Sequence, residues 1–453
     1  MLNRALVEGD VKKSLVRFTL PFLGAMLLQF TYGAADLVIV GRFDLTGAGI
    51  AAVTTGSQLM QTATSLLMGL AAGGTVLIGQ YWGAQRREDV SKTIGTMFSF
   101  FSLLAVVMAA AVALGANFLT ALMRVPEGAV EGARQYIFIC GCGVVFIMGY
   151  NMVSGILRGL GDSKHPMQFV AVACTANIIG DLILVGGLGM GPAGAAIATV
   201  GAQALSLVLS VLVLRQKDFP FDFKPASFRV SRDKLRGLLR IGTPVAIQNI
   251  LVSISFLIIT GVVNAMGLLA ASAAMGTASR VIDFCMMCPI AFYSAISAMT
   301  AQNIGAGLED RARQTLKYGM LFSLLFGGVM FVLVVLFPRQ AIGIVNSNPE
   351  VLELGALCLY GFSLDCVMVA FIFSFNGFFG GCGRTGFTMA NSLIATFAVR
   401  IPVTLLVAAS PSPSLFLIGL ASPLASVLQV LIQLVYYKLG RWRGPAAGKE
   451  LAP

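Results

Sequence analysis

Asp36 is the residue that most needs a reason. It lies near the far end of the stretch Thr19–Gly41, TLPFLGAMLLQFTYGAADLVIVG, which is long and apolar enough to cross a bilayer as a helix. An acid in hydrocarbon costs about 2.5–3.5 kcal/mol on insertion scales unless it faces a protein interior or a wet cavity. Three other polar groups fall at a matching depth. Asn177 and Asp181 stand at i and i+4 in a later apolar span, so they share one helix face. Thr199 lies in the span after that. The hairpin between those two spans turns near Met190, and Asp181 and Thr199 are each nine residues from it. At about 1.5 Å per residue, both sit roughly 10 Å or less from the outer helix end, level with Asp36. Two carboxyls drawn together out of water repel when both are charged, so such a pair can take up a proton near neutral pH. The same hard oxygens could bind sodium.

The rest of the chain must position these groups. Of its 453 residues, 57% are hydrophobic and 11% charged, where a soluble chain is usually about 25% charged. This is the composition of a polytopic membrane protein. About twelve apolar spans of bilayer length are predicted, over 17–40, 49–79, 94–121, 134–157, 166–189, 193–214, 241–265, 272–301, 316–337, 352–379, 386–409 and 414–438. Basic residues crowd alternate loops, from Arg4, Lys12, Lys13 and Arg17 through Arg86 and Arg87, then Arg158 and Lys164, to a connection over 215–240. The opposite side has only Arg42, Arg124, Arg134 and Arg339. That asymmetry puts both termini in the cytoplasm. The 215–240 connection reads as a tether on the cytoplasmic leaflet. The net charge of +11 is thereby topological; with no basic stripe interleaved with aromatics, nucleic acid is not an expected partner. The first span is read as retained, not as a cleaved signal.

The two halves repeat. LVRFTLP (Leu15–Pro21) matches LLRIGTP (Leu238–Pro244), and IGQYWGAQRRED (Ile78–Asp89) matches AQNIGAGLEDRA (Ala301–Ala312). VPE (Val125–Glu127) matches NPE (Asn348–Glu350), and SGILRGLGDS (Ser154–Ser163) matches NGFFGGCGRT (Asn376–Thr385). Six spans per half give both copies the same orientation, a parallel repeat about an axis along the membrane normal. The expected fold is all-α: twelve transmembrane helices in two six-helix bundles about a central cleft. The N-terminal lobe is drawn at 1–220 and the C-terminal lobe at 221–453.

These paired motifs resemble the multidrug and toxic compound extrusion (MATE) family over nearly the whole chain, and its DinF-like group above all. The resemblance implies a V-shaped secondary antiporter in a bacterial-type inner membrane. It would export cationic amphiphilic compounds against an inward flow of protons or sodium by alternating access. It also implies that Asp36, Asn177, Asp181 and Thr199 form the cation-coupling site, with sodium the metal ion to consider there. No other cofactor is expected. A two-bundle transporter needs no partner to form its pathway, so a monomer is expected. The alternative is a flippase for a lipid-linked oligosaccharide, which should line its cleft with several cations to hold a diphosphate; only Arg280 and Arg400 are read as lying within spans.

Other in-span polar groups are candidates for substrate contact: Gln29, Tyr32, Gln58, Gln61, Asn151, Gln203, Asp283, Asp365 and Asn376. Arg280 and Asp283, at i and i+3 on span eight, read as a charge pair. Asp365 on span ten and Arg400 on span eleven form either a structural clamp or an exchangeable substrate site. Where some MATE branches carry a span-seven glutamate, this chain has Gln248 and Asn249. The methionines, Met26, Met60, Met68, Met148 and Met152 among them, suit adaptable apolar contacts. Enzyme chemistry is not expected. The eight cysteines lie mostly in apolar segments, His165 is the single histidine, and no GxxxxGK[ST] occurs.

Overall fold

The structure, a computed structural model, describes residues 6–44, 47–123, 125–215, 219–265, 269–410 and 414–443. Arg4 and Arg124 of the charge asymmetry lie outside them. Among the described residues, eleven helices are long and apolar enough to cross a membrane, and one bent pair makes a twelfth span. In order they are α1 (Val11–Phe43), α2 (Ala48–Gly83), α3 (Arg87–Leu114), α4 (Val130–Gly159), α5 (Lys164–Asp181), α6 (Gly191–Leu214), α7 (Arg232–Ala265), α8 (Leu269–Gly305), α9 (Glu309–Leu336), α10 (Pro349–Phe362, then Asp365–Gly381), α11 (Thr385–Ala395, resumed at Ile401–Ala408) and α12 (Leu415–Lys438). All twelve predicted spans are helical.

The repeated motifs are the punctuation of these helices. Gln85 and Gly307, equivalent positions after α2 and α8, both take left-handed backbone, at φ 60° and 75°. Gly161 and Gly383, equivalent positions after α4 and the second half of α10, do so at 91° and 76°. In NPE, Asn348 caps α10 by accepting from Glu350 N at 2.9 Å, with Pro349 at the first helical position. In LRGLGDS, Asp162 Oδ1 accepts from Lys164 N and His165 N at the start of α5.

Three spans are not regular. A π-helical turn, Leu182–Gly187, follows Asp181 directly, and another, Thr396–Arg400, ends at Arg400. The two parts of α10 meet at 47°, and Asp365 opens the second part. Wide turns of this kind concentrate at functional positions. Here each one adjoins an intramembrane charge.

The chain packs into two compact units, and they do not divide at 220/221. One holds Leu20–Ala246; the other holds Leu6–Thr19 together with the chain from Ile247 onward. The first part of α1 thus belongs with α8–α12, and the first part of α7 belongs with α2–α6. Each change of unit falls beside an internal proline, Pro21 in α1 and Pro244 in α7. Proline removes one backbone hydrogen bond and lets a helix change direction there.

Contacts within each unit account for the exchange. Gly73 and Gly242 let α2 and α7 meet backbone to backbone: a Cβ on Gly73 would fall 2.3 Å from Leu238 O, and one on Gly242 would fall 2.6 Å from Leu70 O. Lys234, only 3% exposed, pairs with Asp89 at 2.6 Å and reaches Tyr81 Oη at 3.2 Å. The connection read as a leaflet tether ends at Ser231, because Arg232–Arg240 already form α7, and its middle is docked on α3. Phe98 packs on Phe221, Phe223 and Phe228, while Ser99 Oγ donates to Phe228 O at 2.9 Å. In the other unit, Arg311 donates to Gly9 O at 2.8 Å and Glu8 O at 3.3 Å, and Asn303 Nδ2 donates to Leu6 O at 3.3 Å. Lys12 lies over the Tyr318 ring.

Candidate functional site

The four residues singled out in the N-terminal half converge. Asp36 on α1, Asn177 and Asp181 on α5, and Thr199 on α6 all lie in the unit spanning Leu20–Ala246. Asn177 Nδ2 donates to Thr199 Oγ1 at 3.4 Å, and Thr199 Oγ1 donates to Asp36 Oδ2 at 3.5 Å. Both bonds are long, so the hydroxyl bridges its neighbours loosely. The Asp36 and Asp181 carboxyls act on each other electrostatically.

Burial makes this grouping consequential. Asp36, Asn177 and Asp181 are 5%, 1% and 0% exposed. Asp36 Oδ1, Asn177 Oδ1 and both Asp181 carboxyl oxygens have no hydrogen-bond donor among the described residues. Buried acceptors almost always have a partner, and leaving one without costs about 1–3 kcal/mol, more for a charge. Four such oxygens in one cluster are an acceptor set built for something positive. A proton between the carboxyls, or a cation held by carboxylate and amide oxygens, would meet that demand. Tyr32, half-buried one turn before Asp36, lies within electrostatic reach of Asp36, Tyr150 and Gln203. The Gln203 amide oxygen is likewise buried without a donor. Tyr32 and Gln203 therefore extend the site.

The remaining candidates scatter. Gln29, Gln58 and Gln61 are exposed, and half-buried Asn151 donates to Ile147 O of its own helix at 2.8 Å. Asn376 is buried in the other unit, where it accepts from Gln433 Nε2 at 2.9 Å, a helix-to-helix tie. Met60, Met148 and Met152 are buried as packing residues, whereas Met68 is exposed.

The charges of the C-terminal half are arranged differently from the sequence reading. Arg280 and Asp283 are both exposed and no ion pair joins them. Three residues apart they share a helix side, and Arg280 acts on Asp283 electrostatically without an ion pair. Asp365 is buried and accepts from Ser422 Oγ at 2.7 Å. Arg400 feels Asp365 electrostatically without an ion pair. Its Nη1 donates to Ser255 Oγ at 3.4 Å, and its guanidinium lies 4.1 Å from the Phe256 ring centroid. Aromatic and hydroxyl groups thus hold the arginine, and the direct clamp, one of the two readings of Asp365 and Arg400, is not made as an ion pair.

Three features escaped the sequence reading. The Asp89–Lys234 pair joins residues 145 positions apart, and nothing local announces it. Ser422 on α12 shows no signal before the fold brings it to Asp365. Arg158, counted as a loop charge, lies in the last turn of α4, half-buried against the Phe22 ring at 5.5 Å. It stands at the end of the helix Glu127–Gly159, next to its last residue.

Comparison with known proteins bears on this site. A profile of the MatE family matches residues 21–183 and, a second time, residues 244–406. The two matches are offset as the paired motifs are, and the first contains Asp36, Asn177 and Asp181. The chain is 27% identical over 438 residues to the probable multidrug resistance protein YoeA of Bacillus subtilis (strain 168), covering 95% of this chain and 94% of that one. It is 26% identical to the probable multidrug resistance protein YpnP of the same organism, covering 96% and 97%. A solved structure described as the outward-facing conformation of a multidrug resistance MATE family transporter of the MOP superfamily matches with a TM-score of 0.90. The identity there is 20%, over 97% of this chain and 98% of that one.

Proposed function

Since the chain belongs to the MatE family of multidrug efflux transporters, we propose that it is a secondary antiporter whose driving cation binds among Asp36, Asn177, Asp181 and Thr199. The observation that carries this reading is the set of buried, donor-less oxygens on Asp36, Asn177 and Asp181. A proton bridging Asp36 and Asp181 removes the repulsion between two desolvated carboxylates and changes the charge of the unit by one. That change is what a coupled transporter needs: the site can favour one conformation when loaded and another when empty only through a difference in affinity between them.

A proton is favoured over sodium as driver because two buried acids act on each other, while Thr199 and Asn177 approach only at long hydrogen-bond range. The cargo is a cationic amphiphile, repelled by the loaded site and admitted by the unloaded one, and exported by alternating access. The protein would act as a monomer in a bacterial inner membrane with both termini in the cytoplasm.

Reconstituted vesicles with an imposed pH or sodium gradient test this reading. Asp36→Asn and Asp181→Asn should each abolish gradient-driven efflux of a cationic dye while leaving the protein folded in detergent. Efflux that persists in both variants overturns the assignment. Wild-type efflux that follows sodium at constant pH transfers the site to that ion.

A further inference from the structure

The unit that holds Ile247 onward has a column of buried polar groups for which the coupling site gives no use. On α12, Ser422, Ser426, Gln429 and Gln433 stand at i, i+4, i+7 and i+11, on one face of the helix. Two of them tie that face to the second part of α10 in one register. Ser422 Oγ donates to Asp365 Oδ2 at 2.7 Å, and three turns further along both helices Gln433 Nε2 donates to Asn376 Oδ1 at 2.9 Å. Between these rungs, Asn391 Nδ2 of α11 donates to Gln429 O at 3.1 Å. Thr385, Thr388, Ser392 and Thr396, at i, i+3, i+7 and i+11, line α11 beside Asn391, and all are buried. The first part of α11 packs on α12 and on the second part of α10. Three helices of one unit thus enclose the column. At about 1.5 Å per residue it runs roughly 16 Å from Asp365 toward the C-terminal end of α12.

Polar atoms that no described group answers mark its length. They are Asp365 Oδ1 at one end, Asn391 Oδ1 in the middle, and Gln433 Oε1 and Thr385 Oγ1 at the other. Each of these four residues is at most 3% exposed. Buried polar groups so placed are ordinarily completed by single waters, each held by several partners. At the Thr385 end the column meets the surface, where Arg384 is half-buried and Gly386 is exposed. At the other end, Asp365 opens the second part of α10 after its 47° bend. The groups that act on Asp365 are Ser422 and Ser426 of α12 and the charge of Arg400 on α11, and the titratable thiol next to it is Cys366. The first repeat has Phe169 and Val170 where the second has Asn391 and Ser392, so the polar side of α11 belongs to one unit only.

We propose that this column is a proton path, in which waters held by the amides and hydroxyls of α10, α11 and α12 carry protons between the Asp365 carboxylate and the membrane face at which α12 ends. An arriving proton passes from water to water and bonds to Asp365 Oδ1, the oxygen that Ser422 leaves open. The amides and hydroxyls orient the waters and keep their own protons, since neither group titrates near neutral pH. The path concerns access to an acid in the second unit, and it depends neither on the cargo nor on Asp36 and Asp181.

Infrared spectroscopy of the full chain in lipid, followed through a switch from ordinary to heavy water, tests it. The band to follow is the protonated carboxyl stretch that Asp365→Asn removes, recorded over a series of pH values. In wild type that band should shift as fast as the buffer is replaced. Gln433→Leu and Asn391→Leu should each slow the shift on the order of tenfold or more. Thr385→Val, which keeps the side-chain shape, should slow it too and serves if the larger changes prevent folding. A wild-type band that lags behind the buffer overturns the inference. So do folded variants that exchange as fast as wild type, or the lack of an Asp365 carboxyl band at every pH. No transport is measured, so failure here and failure of the antiporter reading are separate results.

Discussion

At the scale of single residues, this protein spends its buried charges in two ways. Asp36 and Asp181 keep buried carboxyl oxygens that no described donor answers, a costly arrangement. Lys234 is instead fully answered, by Asp89 at 2.6 Å, by Asp233 at 3.1 Å and by the Tyr81 ring at 4.4 Å. The second kind of charge holds structure. Lys234→Met should therefore destabilise the protein by about 2 kcal/mol, less than the ~3–5 of a fully sealed pair because Asp89 keeps Arg86 at 2.6 Å and some water. Arg229→Met, on an exposed side chain, should be near neutral. Thermal unfolding in detergent measures the difference, and equal midpoints would contradict it. The acidic site was legible because an acid in an apolar run is conspicuous and depth can be counted from a turn. The Arg280–Asp283 pairing goes no further than an electrostatic influence, because helical spacing sets only which side two residues share. Arg158 was missed because a basic residue near a helix end is ordinarily a loop or snorkelling charge.

At the scale of elements, small residues decide where helices cross. The spans were legible from hydropathy, whereas the exchange of the first parts of α1 and α7 was not, since backbone contacts through Gly69, Gly73 and Gly242 leave no periodic trace. Gly73→Ala makes this measurable. Alanine favours a helix by about 1 kcal/mol over glycine, yet the added Cβ would sit 2.3 Å from Leu238 O and 2.7 Å from Gly242 N, atoms of a helix backbone with little room to yield. Overlap should win, at a net cost of about 1–3 kcal/mol. Gly201→Ala, with nothing within 4 Å of the new Cβ, should leave stability equal or slightly raised. A Gly73→Ala protein melting with or above wild type would show that α7 does not bear on α2 there.

At the scale of the whole molecule, the repeat and the packing draw different boundaries. The paired motifs place the divide near residue 220, but each compact unit includes a stretch from the other half of the sequence. A protein cut between residues 219 and 220 therefore yields two incomplete pieces. The N-terminal fragment lacks Arg232–Ala246, and the C-terminal fragment lacks Leu6–Thr19. Expressed singly, neither should resist protease in the membrane; expressed together, they should recover efflux. A stable N-terminal fragment alone would show that the exchanged segment is dispensable.

The grip of Arg311 and Asn303 on Leu6–Gly9 also sets a timetable. Asn303 reaches Leu6 across 297 positions, and Arg311 reaches Gly9 across 302. The start of α1 leaves the ribosome about 300 residues before these packing partners are made. At about 5–20 residues per second, synthesis of those partners takes roughly 15–60 s. Throughout that interval α1 can be inserted but not seated. Seating this stretch is thus a late act, and the helix that carries Asp36 cannot be anchored at its start until Asn303 and Arg311 have been made.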